Sequence, residues 1–233
     1  MDTVETWEPG ATDLDFYTSY NGLGLARSER ELGSEIMAGF GLVNGLSAYL
    51  GAALGTDEAF SQGSGEIFSG IFGTPIDSDH FDLDLFLDFR LGGTGFSEFQ
   101  VTPAMELNFD LAPDQQRWGL YLVVATPVYG RTEGEADTAT TEVATHLETT
   151  LGTYVTIAER HQLLLDYEMA WRPMAGTDEQ TIEEGTVGLG YNVFLTPALE
   201  LITEVRFDIP QDDEGFAVGV MVGLIATIPP AEV

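Results

Sequence analysis

The chain contains no lysine and no cysteine. Its eight basic residues are all arginine, against 39 Asp and Glu, for a formal net charge of −31 over 233 residues. Without lysine there is no Walker-type phosphate loop, no Schiff-base chemistry and no lysine general base. Without cysteine there are no disulfides, no zinc–thiolate centre and no thiol nucleophile. So acidic a chain is repelled by phosphate backbones, which makes nucleic acid a poor partner. Long apolar runs are missing as well: nothing approaches the ~20 consecutive apolar residues of a membrane-spanning helix. A secretory leader is not legible either, because Asp2, Glu5 and Glu8 stand where a basic start and an apolar core belong. The expectation is a mature chain with Met1 as an added start residue. A hydrophobic content of 44% would suit many folds, so the decision rests on how those residues are arranged.

Their arrangement is alternation. Phe81, Leu83, Leu85, Leu87, Phe89 and Leu91 interleave with Asp82, Asp84, Phe86, Asp88 and Arg90. Successive strand residues point to opposite faces, so one face is apolar and the other mostly charged. The pattern recurs through nearly the whole chain, and twelve strands are expected: 12–20, 34–43, 46–55, 64–74, 80–91, 96–111, 117–130, 141–155, 161–173, 184–194, 199–209 and 215–228. Asn44-Gly45 is a tight-hairpin signal. Strand four is ambiguous, since either Phe68 and Phe72 or Ile67 and Ile71 could be the lipid-facing pair. Parity keeps it, because short turns then follow every even strand and most longer acidic loops fall between. The expected fold is all-β: a closed antiparallel transmembrane β-barrel, an up-and-down meander of about 12 strands with both termini periplasmic. Residues 1–11 form an N-terminal tail, 12–229 the barrel and 230–233 a C-terminal tail.

Length agrees with a membrane span. Phe99 and Phe109 share the apolar side of strand six; at ~3.3 Å per residue and ~40° tilt they are roughly 25 Å apart along the membrane normal, the height of the apolar band. Trp118 would join the inner aromatic girdle, with Phe89, Trp171, Phe207 and Phe216 near the outer one. The opposite faces supply a lumen lined by Asp82, Asp84, Asp88, Arg90, Glu98, Glu106, Asp110, Asp166, Glu168, Arg172, Glu200, Glu204, Arg206 and Asp208. Gly39, Gly41, Gly51, Gly188, Gly190, Gly219 and Gly223 would make a second wall small and smooth. Carboxylates around a pore favour cations. The same acidic and Arg side chains could instead cross-link and fill a closed interior.

Other chemistry finds little footing. Asp82, Asp84 and Asp88 form a column that could hold a hydrated cation but lacks the spacing of a specific metal site, so no metal or cofactor is expected. The acidic loops 177–184 and 212–214 could meet divalent cations bridging lipopolysaccharide, or simply be solvated. Extreme acidity also fits a saline habitat through surface hydration. His80 and His161 fall at periplasmic strand ends and His146 faces the lumen, so no Ser/His pair reaches the outer lipid-facing rim where a lipid hydrolase would need it. The Asp166 and Glu168 pair could formally do acid–base work but sits among many equivalents. An enzyme is not expected.

The short turns Leu42-Val43-Asn44-Gly45-Leu46 and Tyr191-Asn192-Val193-Phe194-Leu195-Thr196-Pro197-Ala198-Leu199, in a chain built almost wholly of hairpins, resemble those of bacterial outer-membrane barrels. Among these the chain is similar to the phenol-degradation meta-pathway (MetA-like) transporter family and related small substrate-specific channels. That resemblance implies an outer-membrane location and uptake of small, even aromatic, compounds; it carries no binding residue across. The chain departs from the usual barrel at its end, Ile228-Pro229-Pro230-Ala231-Glu232-Val233, which lacks a terminal aromatic. The leading functional expectation is a passive channel for small solutes, gated by loop 56–66 or by strand-four residues folding inward, with outer-membrane lipid, lipopolysaccharide and the solute as partners and no protein partner identifiable. A non-conducting structural or scaffold barrel and a soluble acidic β-sandwich are the competing readings.

Overall fold

The computed structural model describes residues 7–23, 31–57, 63–92, 97–111, 118–133, 140–158, 160–172, 181–209 and 217–230. These form a ring of twelve antiparallel strands: β1 (Thr12–Leu23), β2 (Glu31–Val43), β3 (Leu46–Asp57), β4 (Gly63–Ile76), β5 (Phe81–Gly92), β6 (Glu98–Asp110), β7 (Trp118–Ala125 continuing as Val128–Glu133), β8 (Thr140–Thr145 continuing as Leu147–Ile157), β9 (His161–Arg172), β10 (Thr181–Thr196), β11 (Leu199–Ile209) and β12 (Ala217–Ile228). Each strand pairs with its sequence neighbours, and β12 returns to β1 along the register Thr12↔Ile228 through Tyr20↔Val220. A single closed ring replaces the two packed sheets a β-sandwich would need, so that reading is overturned.

The breaks in β7 and β8 have one cause. Pro127 has no N–H to give to the ladder, and it stands opposite His146, where β8 is interrupted. On the other side Pro103 lies opposite Thr126, whose N–H still reaches the Pro103 carbonyl at 3.0 Å. The register passes through undisturbed, from Ala104↔Ala125 to Val101↔Val128 and from Glu148↔Ala125 to Val128↔Thr145. Both strands are therefore continuous staves with a proline notch.

Burial is inverted relative to a water-soluble domain. Asp13, Asp15, Ser47, Asp84, Thr102, Glu106, Asn108, Thr150, Asp166, Asn192, Glu200 and Glu204 are buried, while Leu14, Phe16, Ile36, Leu50, Leu54, Leu85, Leu120, Leu151, Leu165, Leu189 and Leu224 are exposed. A period-two strand in a closed ring can do this only by turning its polar face inward. The ambiguity in β4 resolves the same way: Phe68 and Phe72 are buried in the ring, and Ile67 and Ile71 are exposed outside it. One end of the ring carries the tight turns, including Asn44-Gly45 with Gly45 at a φ of 72°. A left-handed φ suits glycine, which has no Cβ to clash.

Candidate functional site

The interior divides into a filled half and an open half. In the filled half, buried Tyr121, Tyr154 and Leu164 pack together with Val123 across β7, β8 and β9. In the open half lies a cavity of about 1010 Å³, bounded by β1–β6, by Tyr129 of β7 and by inward residues of β11 and β12. It extends from Gly55, Ser64 and Glu98, at the end away from the tight turns, down to Trp7 and Phe72.

The floor is unexpected. Residues 7–11, within the expected N-terminal tail, enter the ring and pack against β2 and β3. The Gly10 amide donates to the Gly41 carbonyl at 2.9 Å and the Gly41 amide to the Ala11 carbonyl at 3.1 Å. The Trp7 amide donates to Ser47 Oγ at 3.0 Å, and its indole N–H donates to Asp13 Oδ2. Phe72 meets the Trp7 ring edge-on, with centroids 5.0 Å apart, and Phe86 stacks on Phe72 at 5.8 Å.

The glycine wall is not bare. A Cβ at Gly39 would overlap the Trp7 ring, one at Gly51 the Phe68 ring and one at Gly223 the Tyr17 ring. Asp166 covers Gly188, Leu164 covers Gly190 and Asn21 covers Gly219, while the Glu8 backbone lies over Gly41. These glycines are thus sockets for neighbouring side chains, which corrects the expectation of a small, smooth wall. Two hairpins use the device reciprocally. Tyr49 stands opposite Gly70 and Phe68 opposite Gly51; Tyr121 stands opposite Gly152 and Tyr154 opposite Gly119. The sequence signal is an aromatic two residues from a glycine on both partner strands: Tyr49-x-Gly51 with Phe68-x-Gly70, and Gly119-x-Tyr121 with Gly152-x-Tyr154.

The residues expected to line the lumen fall as follows. Asp82, Asp84, Asp88 and Arg90 share the inward face of β5. Asp84 accepts from Thr74 Oγ1 at 2.5 Å and from Asn108 Nδ2 at 3.3 Å, with buried Glu106 opposite it in register. Asp82, at the tight-turn end, accepts the Ser78 amide at 3.0 Å. Arg90 pairs with Glu66 at 2.6 Å, and its guanidinium lies over the Phe68 ring at 5.0 Å. Arg206 sits 2.5 Å from Glu204 and 3.9 Å from Glu168. Asp166 accepts from Tyr121 Oη at 3.1 Å, and Asp110 accepts from Tyr154 Oη. Glu200 is buried on β11, Glu98 borders the cavity, and Asp208 is exposed at the far end of β11, accepting from Thr186 Oγ1 at 3.1 Å. Of Arg172 only the backbone, ending β9, is described. His146 stacks on Tyr129 at 5.3 Å with Nε2 2.6 Å from Glu148. Among the described residues, no three His, Asp or Glu side chains converge on a point that could hold a metal ion.

On the outside, Phe89, Phe109 and Trp118 are exposed. Phe99 covers Gly130 and also borders the cavity at its rim, Phe207 is half-buried, and half-buried Trp171 donates to Thr149 Oγ1 at 3.4 Å. Two pairs escaped the sequence reading: Phe81 against Phe109 at 5.1 Å, and His161 stacked on Tyr191, with Nδ1 2.7 Å from the phenol oxygen. Phe216, the acidic stretches 177–180 and 212–214, and residues 58–62 of the expected gating loop lie outside the described residues.

No protein-family model matches the chain, and no curated protein sequence matches it. Solved structures do match in fold. The NanC porin superposes with a TM-score of 0.68 at 9% identity, covering 91% of this chain and 98% of its own. An outer-membrane channel from Pseudomonas putida F1 gives a TM-score of 0.68 at 12% identity, covering 96% and 97%. The KdgM porin gives 0.62 at 10% identity, covering 92% and 98%. At such low identity the likeness is one of architecture, and it is that of the closed antiparallel barrels of outer-membrane porins and channels.

Proposed function

We propose that this protein is a channel of the bacterial outer membrane, through which small solutes diffuse passively and cations are favoured. The observation that carries the reading is the inverted burial around a cavity of about 1010 Å³. The apolar outer face suits hydrocarbon, and the cavity is the size of a small-molecule site. Its wall includes Asp13, Asp15, Glu35, Glu66, Glu98 and Glu204, with Arg90 and Arg206 among them. In a space bounded by low-dielectric walls, an excess of carboxylates concentrates cations and repels anions. The structural likeness to porins and channels supports this reading; so does the resemblance of the short turns to meta-pathway transporters, which would make small aromatic compounds the cargo. On this reading the tight turns and both described chain ends face the periplasm, lipid and lipopolysaccharide surround the barrel, and no enzymatic role is assigned.

The test is conductance in planar bilayers under a tenfold KCl gradient. The expected result is a steady current whose reversal potential lies towards that of K⁺, shifting towards zero in Glu35→Gln and Glu106→Gln. A folded barrel that passes no current would reject the reading. It would favour a structural barrel, for which Tyr121, Tyr154 and Leu164 packed in one half and Trp7 seated in the other are the specific observations.

A further inference from the structure

Trp7 sits in this barrel as a bound ligand would. Its ring lies where a Cβ on Gly39 would have to be, so the indole rests directly on strand backbone. Asp13 stands opposite Gly39 in register and takes the indole N–H on Oδ2. Phe72 supplies an edge-on aromatic wall. Asp13 is 7% exposed, and among the described residues its second oxygen, Oδ1, has no hydrogen-bond partner. A buried carboxylate oxygen without a donor is costly, so a ligand that brings one gains the bond. The indole, neutral and with a single N–H, meets only half of what this seat offers. Trp7 and Asp13 both border the large cavity, so the seat can be reached from it.

We propose that the Trp7 seat is a subsite for a planar aryl cation carrying two parallel N–H donors, such as an aryl amidinium or aryl guanidinium, and that Trp7 is its displaceable internal stand-in. Two parallel donors would engage both oxygens of Asp13 in a charge-assisted, bidentate pair. The aromatic body would occupy the glycine-floored slot, with Phe72 beside it. The barrel already holds a planar cation against a ring and a carboxylate: the Arg90 guanidinium lies over Phe68 and makes one contact with Glu66 at 2.6 Å. An aryl anion would meet the same shape but face Asp13, with Asp15 and Glu35 also on the cavity wall. Charge therefore discriminates where shape does not. The proposal deepens the channel reading by naming a solute class, and it rests on that reading for how the solute arrives.

Isothermal titration in detergent, on barrels shown folded by a heat-dependent gel shift, tests binding independently of conduction. Benzamidine is the probe, with benzoate and tetramethylammonium for comparison. A seat already occupied lowers apparent affinity by the fraction of molecules in which it is free. Trp7→Ala should therefore bind benzamidine about tenfold or more tightly than the parent. Neither benzoate nor tetramethylammonium should give saturable heat. In the Trp7→Ala background, Asp13→Asn should weaken benzamidine at least about tenfold through loss of the charged bidentate pair. Gly39→Val, which leaves every charge in place, should abolish binding by filling the slot, and it decides the matter if the Asp13 variant does not fold. The proposal is overturned if Trp7→Ala binds no more tightly than the parent, if benzoate binds equally well, or if Gly39→Val leaves binding intact. Benzamidine binding by a barrel that is silent in bilayers would reject conduction and keep the subsite.

Discussion

Leu151 and Ile157 lie on the outer face of the same strand, and both are exposed, at 59% and 49%. In water the two sites would be near equivalents, and a surface change to arginine would alter stability by about 0.5 kcal/mol or less at either. In a bilayer they differ by depth. Six positions along β8, at ~3.3 Å each and ~40° tilt, separate them by roughly 15 Å along the membrane normal. Leu151 then lies close to the midplane, and Ile157 close to the boundary at the tight-turn end. Leu151→Arg should cost ~2–4 kcal/mol for the charge at depth. Removing the leucine forfeits about 1 kcal/mol more, roughly half the ~1.5–3 kcal/mol of a fully transferred side chain. The sum is about 3–5 kcal/mol, against ~0–1 kcal/mol for Ile157→Arg near the interface. Reversible unfolding in guanidinium, with the barrel in lipid vesicles, reads both as shifts of the midpoint at constant slope. Equal costs at the two sites, or two values under 1 kcal/mol, would refute a lipid-facing surface here.

Further outcomes follow from the interior. Gly152→Val drives a side chain into the Tyr121 ring and should destabilise the barrel by ~1–3 kcal/mol in the same assay; Tyr121→Ala in that background should return part of the loss, giving a measurable coupling. Arg206→Met removes the cation 2.5 Å from Glu204 and 3.9 Å from Glu168, so the K⁺/Cl⁻ permeability ratio should rise and its salt dependence steepen, whereas an unchanged reversal potential would place this cluster off the ion path. Ala158 holds a left-handed φ of 53° in the turn between β8 and β9, so Ala158→Gly should leave stability unchanged or raise it by up to ~1 kcal/mol; a clear loss in the guanidinium midpoint would show that the turn does not carry that strain.

The strand framework was legible because its signal has the same period as the structure that produces it. Residues 81–91 alternate in sequence, and in the ring Asp84 is buried while Leu85 and Phe89 are exposed. Strand β4 was hard to orient because Phe68 and Phe72 are apolar yet point inward, where they wall a cavity instead of meeting lipid. The glycines misled for a related reason. Gly51 and Gly223 read as empty positions on a face, whereas each is the socket for a ring, Phe68 or Tyr17, carried by the neighbouring strand. Trp7 was out of reach: it acts through Gly39, Ser47 and Asp13, and the segment that carries it has no periodic pattern of its own. The proline notch was half visible, since Pro103 and Pro127 can be seen in the sequence, but their effect on β8 depends on a pairing that only the closed ring fixes.

The reciprocal sockets matter for how the barrel avoids misassembly. A ladder written as apolar-polar-apolar forbids slips of one residue, which would turn its faces inside out, but it is nearly indifferent to slips of two. Moving β8 by two positions against β7 would bring Tyr121 onto Tyr154 or onto Thr150 in place of Gly152, and in neither arrangement does the ring find a vacancy. Two hairpins therefore carry their own ratchet, one that admits the native alignment and jams at the next.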